Sequence, residues 1–201
     1  MKLFSFLIIF LLLIGCSNGD NNQIEDNKNI NDTILGYQLY ETGFLKYSDS
    51  LKRDSLKYGL TTSFDIYNED NNKIAHIDAE ELAEFSFDFF LPDLNRLLAK
   101  RKFELIVKTA HDVESSNDIL INDVKINLYT KEELSNGHLW ESAPKNFFKE
   151  VNRQLNAKNI EESFYLLYGG NDLHVLLLTS NEFKIIKNKY RDDSKEIPYL
   201  P

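Results

Sequence analysis

An unbroken apolar run from Phe6 to Ile14 ends in Gly15-Cys16, and Cys16 is the only cysteine in the 201 residues. Both facts constrain what the chain can fold into. A membrane span takes about 20 apolar residues to cross a core of roughly 30 Å, so this run is too short to be one. With Lys2 in front and the polar stretch from Ser17 behind, it has the layout of a secretory signal: basic start, apolar centre, small residue at the end. The one thiol sits at the end of that segment. No disulfide can then staple the rest of the chain, which must hold itself together by packing.

The last four residues of the segment, Leu13, Ile14, Gly15 and Cys16, resemble the lipobox of bacterial lipoproteins. The resemblance covers residues 1–16 only. It implies cleavage before Cys16, a thioether-linked diacylglycerol on that thiol and usually an acylated amino terminus, with palmitate-type chains inserted in a membrane. One acyl chain anchors only marginally, at about 0.8 kcal/mol per buried CH₂, whereas two or three hold firmly. Ser17 follows the cysteine, where an aspartate would imply inner-membrane retention in enteric bacteria. The expected location is a bacterial cell envelope, on the outer membrane if the source has two.

Cleavage before Cys16 leaves 186 residues and takes away one charge, Lys2, so the formal net charge moves from −9 to −10. That length suits a single domain with a sizeable core. The acidic balance argues against nucleic acid and against docking on anionic headgroups, and is compatible with a basic protein partner. Residues 17–33 are rich in Asn and Asp with isolated isoleucines, and bury too little apolar area to offset chain entropy. The expected organisation is therefore a signal peptide over 1–15, a lipidated Cys16 with a flexible tether over 16–33, and a globular domain over 34–201. As a flexible coil the tether reaches on the order of 20–25 Å.

Within that domain, residues 34–58 give a short strand or turn and then an ambiguous segment. Leu60 to Tyr67 and Lys73 to Ile77 both alternate apolar and polar around the turn cluster Asn68 to Asn72, which predicts a β-hairpin. The same turn lacks the glycine and the bidentate glutamate of an EF-hand loop, Lys73 and Ala79 standing in their places. Asp78 with Glu81 predicts a capped helix start, giving helices near 79–90 and 93–101 divided at Pro92. Strands are expected at Phe103 to Thr109 and within Ile119 to Tyr129, with one helical turn over Lys131 to Asn136. A helix is expected from Pro144 to Lys158 with the proline near its first turn. Phe164 to Tyr168 and Leu173 to Thr179 flank a Gly169-Gly170-Asn171-Asp172 turn and predict a central hairpin. Thr179 with Glu182 predicts a second capping box, opening a helix through Tyr190. Strands and helices do not alternate strictly, so the expected class is α+β: a mostly antiparallel sheet with helices packed on one face, in a single domain after a disordered tether.

Chemistry is sparse. The sequence has no nucleophile elbow, Walker loop or dinucleotide glycine pattern, and no cofactor or resident metal is expected. Of the histidines, His76 lies two residues from Asp78 and His111 adjoins Asp112, while His138 and His174 stand apart. Imidazole with carboxylate suits zinc, yet no His-x-x-x-His spacing occurs. Glu80 and Glu81 are adjacent, so they point different ways on a helix and serve its dipole. Trp140, the one tryptophan, falls in SNGHLWESAP, which reads as a loop; there it either serves as an exposed anchor for a partner or packs onto the sheet edge as a lid. Tyr37, Tyr40 and Tyr47 either line a surface or fill the core. The expected function is a lipid-anchored, non-enzymatic binding or accessory domain, of inhibitor or immunity type. The alternatives are an envelope hydrolase built from dispersed histidines and aspartates, or a small-ligand carrier with an apolar pocket beside the 164–179 hairpin.

Overall fold

A computed structural model describes residues 31–110 and 117–201. The signal segment with Leu13, Ile14, Gly15 and Cys16, most of the expected tether, and His111 lie outside the described residues. The chain is α+β, with seven α-helices and two three-stranded antiparallel sheets among the described residues. The helices are α1 (residues 31–41), α2 (Arg53–Ser63), α3 (Ala79–Ala83), α4 (Leu91–Ala99), α5 (Lys131–Ser135), α6 (Leu139–Ala157) and α7 (Ser180–Lys189). The strands are β1 (Ile74–His76), β2 (Val107–Thr109), β3 (Asp118–Ile121), β4 (Val124–Asn127), β5 (Ser163–Leu167) and β6 (His174–Leu178).

The central sheet runs β1-β6-β5 and is built on the two most hydrophobic segments of the chain. Both strands read as continuous apolar runs, the signature of strands covered on both faces. Phe164, Leu166, Val175, Leu177 and Ala75 point into one cluster with α3, α4, α6 and the second sheet. Tyr165, Leu167, Leu176, Leu178 and Ile74 point into the other, against α1, α2 and α7. Helices therefore cover both faces here, whereas the β2-β3-β4 meander has the single covered face that alternation predicts, Ile119 and Ile121 being fully buried between half-exposed neighbours. Each large side chain so buried contributes roughly 1.5–3 kcal/mol against leaving it in water. The phenylalanine content is a core feature: Phe87, Phe90, Phe147, Phe148 and Phe164 form a chain of ring contacts with centroids 5.0–6.4 Å apart.

The outer edge of β5 is closed. Asn152 of α6 donates to the Phe164 carbonyl and accepts from its N–H, at 2.9 and 2.7 Å. Two residues on, Leu166 exchanges both backbone bonds with Tyr199. The 163–178 hairpin, the Thr179–Glu182 capping box and α7 all lie where the sequence places them.

Other segments correct the sequence reading. Residues 31–33, expected in the tether, belong to α1, where Asp32 is buried and pairs with Lys189. The strand or turn expected from residue 34 is helix. Gly36 makes this possible, because a Cβ there would stand 2.1 Å from the Leu60 carbonyl oxygen of α2. The expected hairpin at 60–77 does not form. Leu60 to Ser63 finish α2, with Thr61, Thr62 and Ser63 donating to carbonyls four residues back, and Phe64 ends the helix at φ +54°. β1 pairs with β6 instead. The expected helix over 79–90 stops at Ala83, since Phe85 takes φ +65° and a 3₁₀ turn follows at Phe87–Phe89. Pro92 opens α4, where its missing N–H costs nothing. Within 119–129, where one strand is expected, a tight turn at Asn122-Asp123, both at positive φ, separates two strands, β3 and β4. Finally, α6 begins five residues before Pro144, which lies inside it.

Candidate functional site

Three places gather chemistry. The first is a buried charged quartet. Lys73 at the head of β1 donates to Glu162 at 2.6 Å and to both oxygens of Glu182 at 2.9 and 3.0 Å. Arg101, just past α4, grips Glu162 through Nε at 2.7 Å and a terminal nitrogen at 2.8 Å. Its other terminal nitrogen donates to the carbonyls of Asn72 and Leu97. The guanidinium lies 4.0 Å from the centre of the Tyr47 ring, and Lys73 stands 5.3 Å from that of Phe44. All four charged side chains are at most 6% exposed. Burial by itself pushes the Glu162 carboxyl up, but the Arg101 hydrogen bonds and the charges of Lys73 and Arg101 more than offset it and hold it low. A polar cleft of about 450 Å³ opens over the quartet, with Lys46, Thr42, Lys158 and Asn159 on its walls. Two cations and two anions cancel, and each is bonded to a partner. The group is equipped to clamp four segments together.

The second place surrounds Trp140. Gly137, at φ +74°, turns the chain out of α5, and His138 stands just before the first turn of α6 without a side-chain capping bond. Trp140 therefore sits in the first turn of a 19-residue helix rather than in a loop. It is 46% exposed and Tyr199 is 40% exposed. Together with Pro144, Leu166, Gly169 and Gly170 they line a cleft of about 350 Å³. The Tyr199 hydroxyl donates to the Tyr168 carbonyl at 3.2 Å, and burial pushes its pKa up. Glu141, also on the cleft wall, is held below the usual carboxylate range by its hydrogen bond with Lys145. Among the expected aromatic positions, Tyr37 is half exposed, Tyr40 lies under Lys57, and Tyr47 packs on Arg101.

The third place is the far end of the central sheet, where Tyr67 and Tyr168 both donate to the Glu196 carboxylate at 2.7 Å. Burial and that shared acceptor raise both hydroxyls, Tyr168 to about 12. His76 stands beside His174 here, ring centroids 4.9 Å apart. Its expected partner Asp78 is committed elsewhere, accepting from the Glu80 and Glu81 N–H groups as cap of α3. Among the described residues no three His, Cys, Asp or Glu side chains converge as a metal cluster, and no helix is long and apolar enough to cross a membrane.

The sequence pointed to Trp140 by residue type. It missed the quartet, because Lys73 looks like a solvated strand residue and Glu182 already has a role as capping partner. His174 pairs with His76 only through the β1–β6 register, across 97 intervening residues. Comparison of the chain with protein families, with curated proteins and with solved structures gives no match.

Proposed function

We propose that this is a lipid-anchored protein of a bacterial envelope whose globular domain binds a basic protein partner, with the cleft at Trp140 and Tyr199 as the docking surface. The anchor half of the reading rests on Leu13-Ile14-Gly15-Cys16. The binding half rests on one observation: a large aromatic held nearly half exposed on a helix, over an apolar cleft. Leaving such a side chain in water forgoes burial energy, and a rigid aromatic beside a pocket is the commonest anchor of a protein interface. Glu141 on the cleft wall is paired with Lys145, but the exposed Glu80 and Asp172 stand on the elements beside the cleft, so the occupant best matched is a segment carrying Lys or Arg. A hydrolase centred on His76 and Asp78 has less support, since Asp78 is occupied as a helix cap.

The test is affinity capture on an envelope extract from the source cell, using the full chain in detergent micelles. One basic protein should be recovered in stoichiometric amount, be released at high salt, and shift the emission of Trp140, the single tryptophan. Trp140→Ala should weaken that complex about 30-fold, the loss of about 2 kcal/mol expected of an anchor residue. If Trp140→Ala captures the same protein as well as wild type does, the cleft is not the docking surface.

A further inference from the structure

The pair at the end of the central sheet carries a function that the docking reading does not use. His76 and His174 are directly opposite each other in the antiparallel β1–β6 ladder, so both side chains leave the same face of the sheet. Their rings are tilted by 59° with centroids 4.9 Å apart. Each is held by a backbone carbonyl of the 170–172 turn, His76 through Nε2 to Asn171 at 2.7 Å and His174 through Nδ1 to Asp172 at 2.8 Å. A carbonyl only accepts, so those two nitrogens carry the protons of the neutral rings. The lone pairs then fall on Nδ1 of His76 and Nε2 of His174, and neither nitrogen has a hydrogen-bond partner among the described residues.

We propose that these two nitrogens chelate a divalent transition-metal ion of the imidazole-favouring kind, such as Zn²⁺ or Cu²⁺. Metal-binding histidines characteristically donate the opposite ring N–H to a carbonyl or carboxylate, which fixes tautomer and ring orientation. Both rings have that arrangement before any metal arrives. The spacing also fits. With metal–nitrogen bonds of about 2.0–2.1 Å and a tetrahedral angle, two bound imidazoles have centroids about 5 Å apart. A cavity of about 130 Å³ adjoins both rings, and the exposed Glu69 lies on its wall. The protein thus supplies two fixed ligands and leaves the remaining positions to water, an open site rather than a closed structural one.

The test uses the full chain in detergent micelles, titrated with ZnCl₂ and CuCl₂ by calorimetry and followed by ¹⁵N NMR of the histidine rings. One ion per chain should bind, excess Mg²⁺ or Ca²⁺ should not compete, and the signals of His76 Nδ1 and His174 Nε2 should move. His76→Gln and His174→Gln should each lower affinity at least tenfold, with circular dichroism and metal-free melting temperature unchanged for the exposed His76 position. Binding that survives either substitution undiminished, or ring signals that stay fixed while metal binds, would overturn the assignment.

Discussion

Arg101 and Glu162 meet side-on inside the protein, two parallel N–H···O bonds of 2.7 and 2.8 Å joining the end of α4 to the start of β5. Glu162 is also bonded to Lys73, so one carboxylate neutralises the head of β1 and the exit of α4 together. Glu162→Gln should leave two buried cations short of an acceptor charge and destabilise the fold by about 3–5 kcal/mol. Urea unfolding checks this. A loss under 1 kcal/mol would mean that the quartet relaxes or hydrates freely.

The same carboxylate makes stability depend on pH with a definite sign. Its folded pKa lies below the ordinary 4.5, so the unfolded chain binds the proton more readily. The contribution is fully present above about pH 4.5 and is lost as the pH falls through the lower, folded value. The urea midpoint should therefore drop on acidification below pH 4.5, and more steeply in wild type than in Glu162→Gln. Parallel curves for the two proteins would assign the acid sensitivity to other carboxylates.

Gly36 allows α1 to lie against the carboxy-terminal half of α2. A methyl group there meets the Leu60 carbonyl oxygen at 2.1 Å and the Thr61 Cα at 2.9 Å, both backbone atoms that cannot swing aside. Gly36→Ala should destabilise by about 3 kcal/mol, toward the upper end for overpacked sites, despite the better helix propensity of alanine. Thermal melts of Gly36→Ala beside Gly59→Ala, a helical glycine whose nearest neighbour would stand at 3.4 Å, separate crowding from helix propensity.

The anchor has an independent check. Metabolic labelling with a fatty acid should mark the wild-type chain and fail on Cys16→Ala, which should also accumulate as uncleaved precursor. Normal labelling and maturation of Cys16→Ala would remove the lipoprotein reading while leaving the fold as described.

Fold class was legible because the decisive segments are strong and local. Phe164 to Leu167 and Val175 to Leu178 are too apolar to lie anywhere but the centre, and Thr179 with Glu182 marks a helix start in four residues. The misread segments have competing periods. Leu60, Phe64 and Ile66 suit a strand by alternation, yet threonine and serine hydroxyls bonded back to the helix carry the chain through Ser63 before Phe64 turns it. Pro144 looked like a helix start because proline favours that place, and that displaced Trp140 into an imagined loop. The quartet and the histidine pair are products of strand register and helix docking, which bring together residues 61 to 109 positions apart. No linear spacing encodes them.

The closed margin of β5 limits how a partner can engage. Phe164 has given its backbone groups to Asn152 and Leu166 has given its own to Tyr199, so that margin offers no template on which a foreign strand could add itself. Recognition there must proceed through side chains. The same seal guards against sheet-to-sheet stacking of neighbouring copies crowded together, and cutting the chain after Ile197 would remove it by unmasking Leu166. The segment ending in Pro201 is thus a guard on the sheet as well as a wall of the cleft.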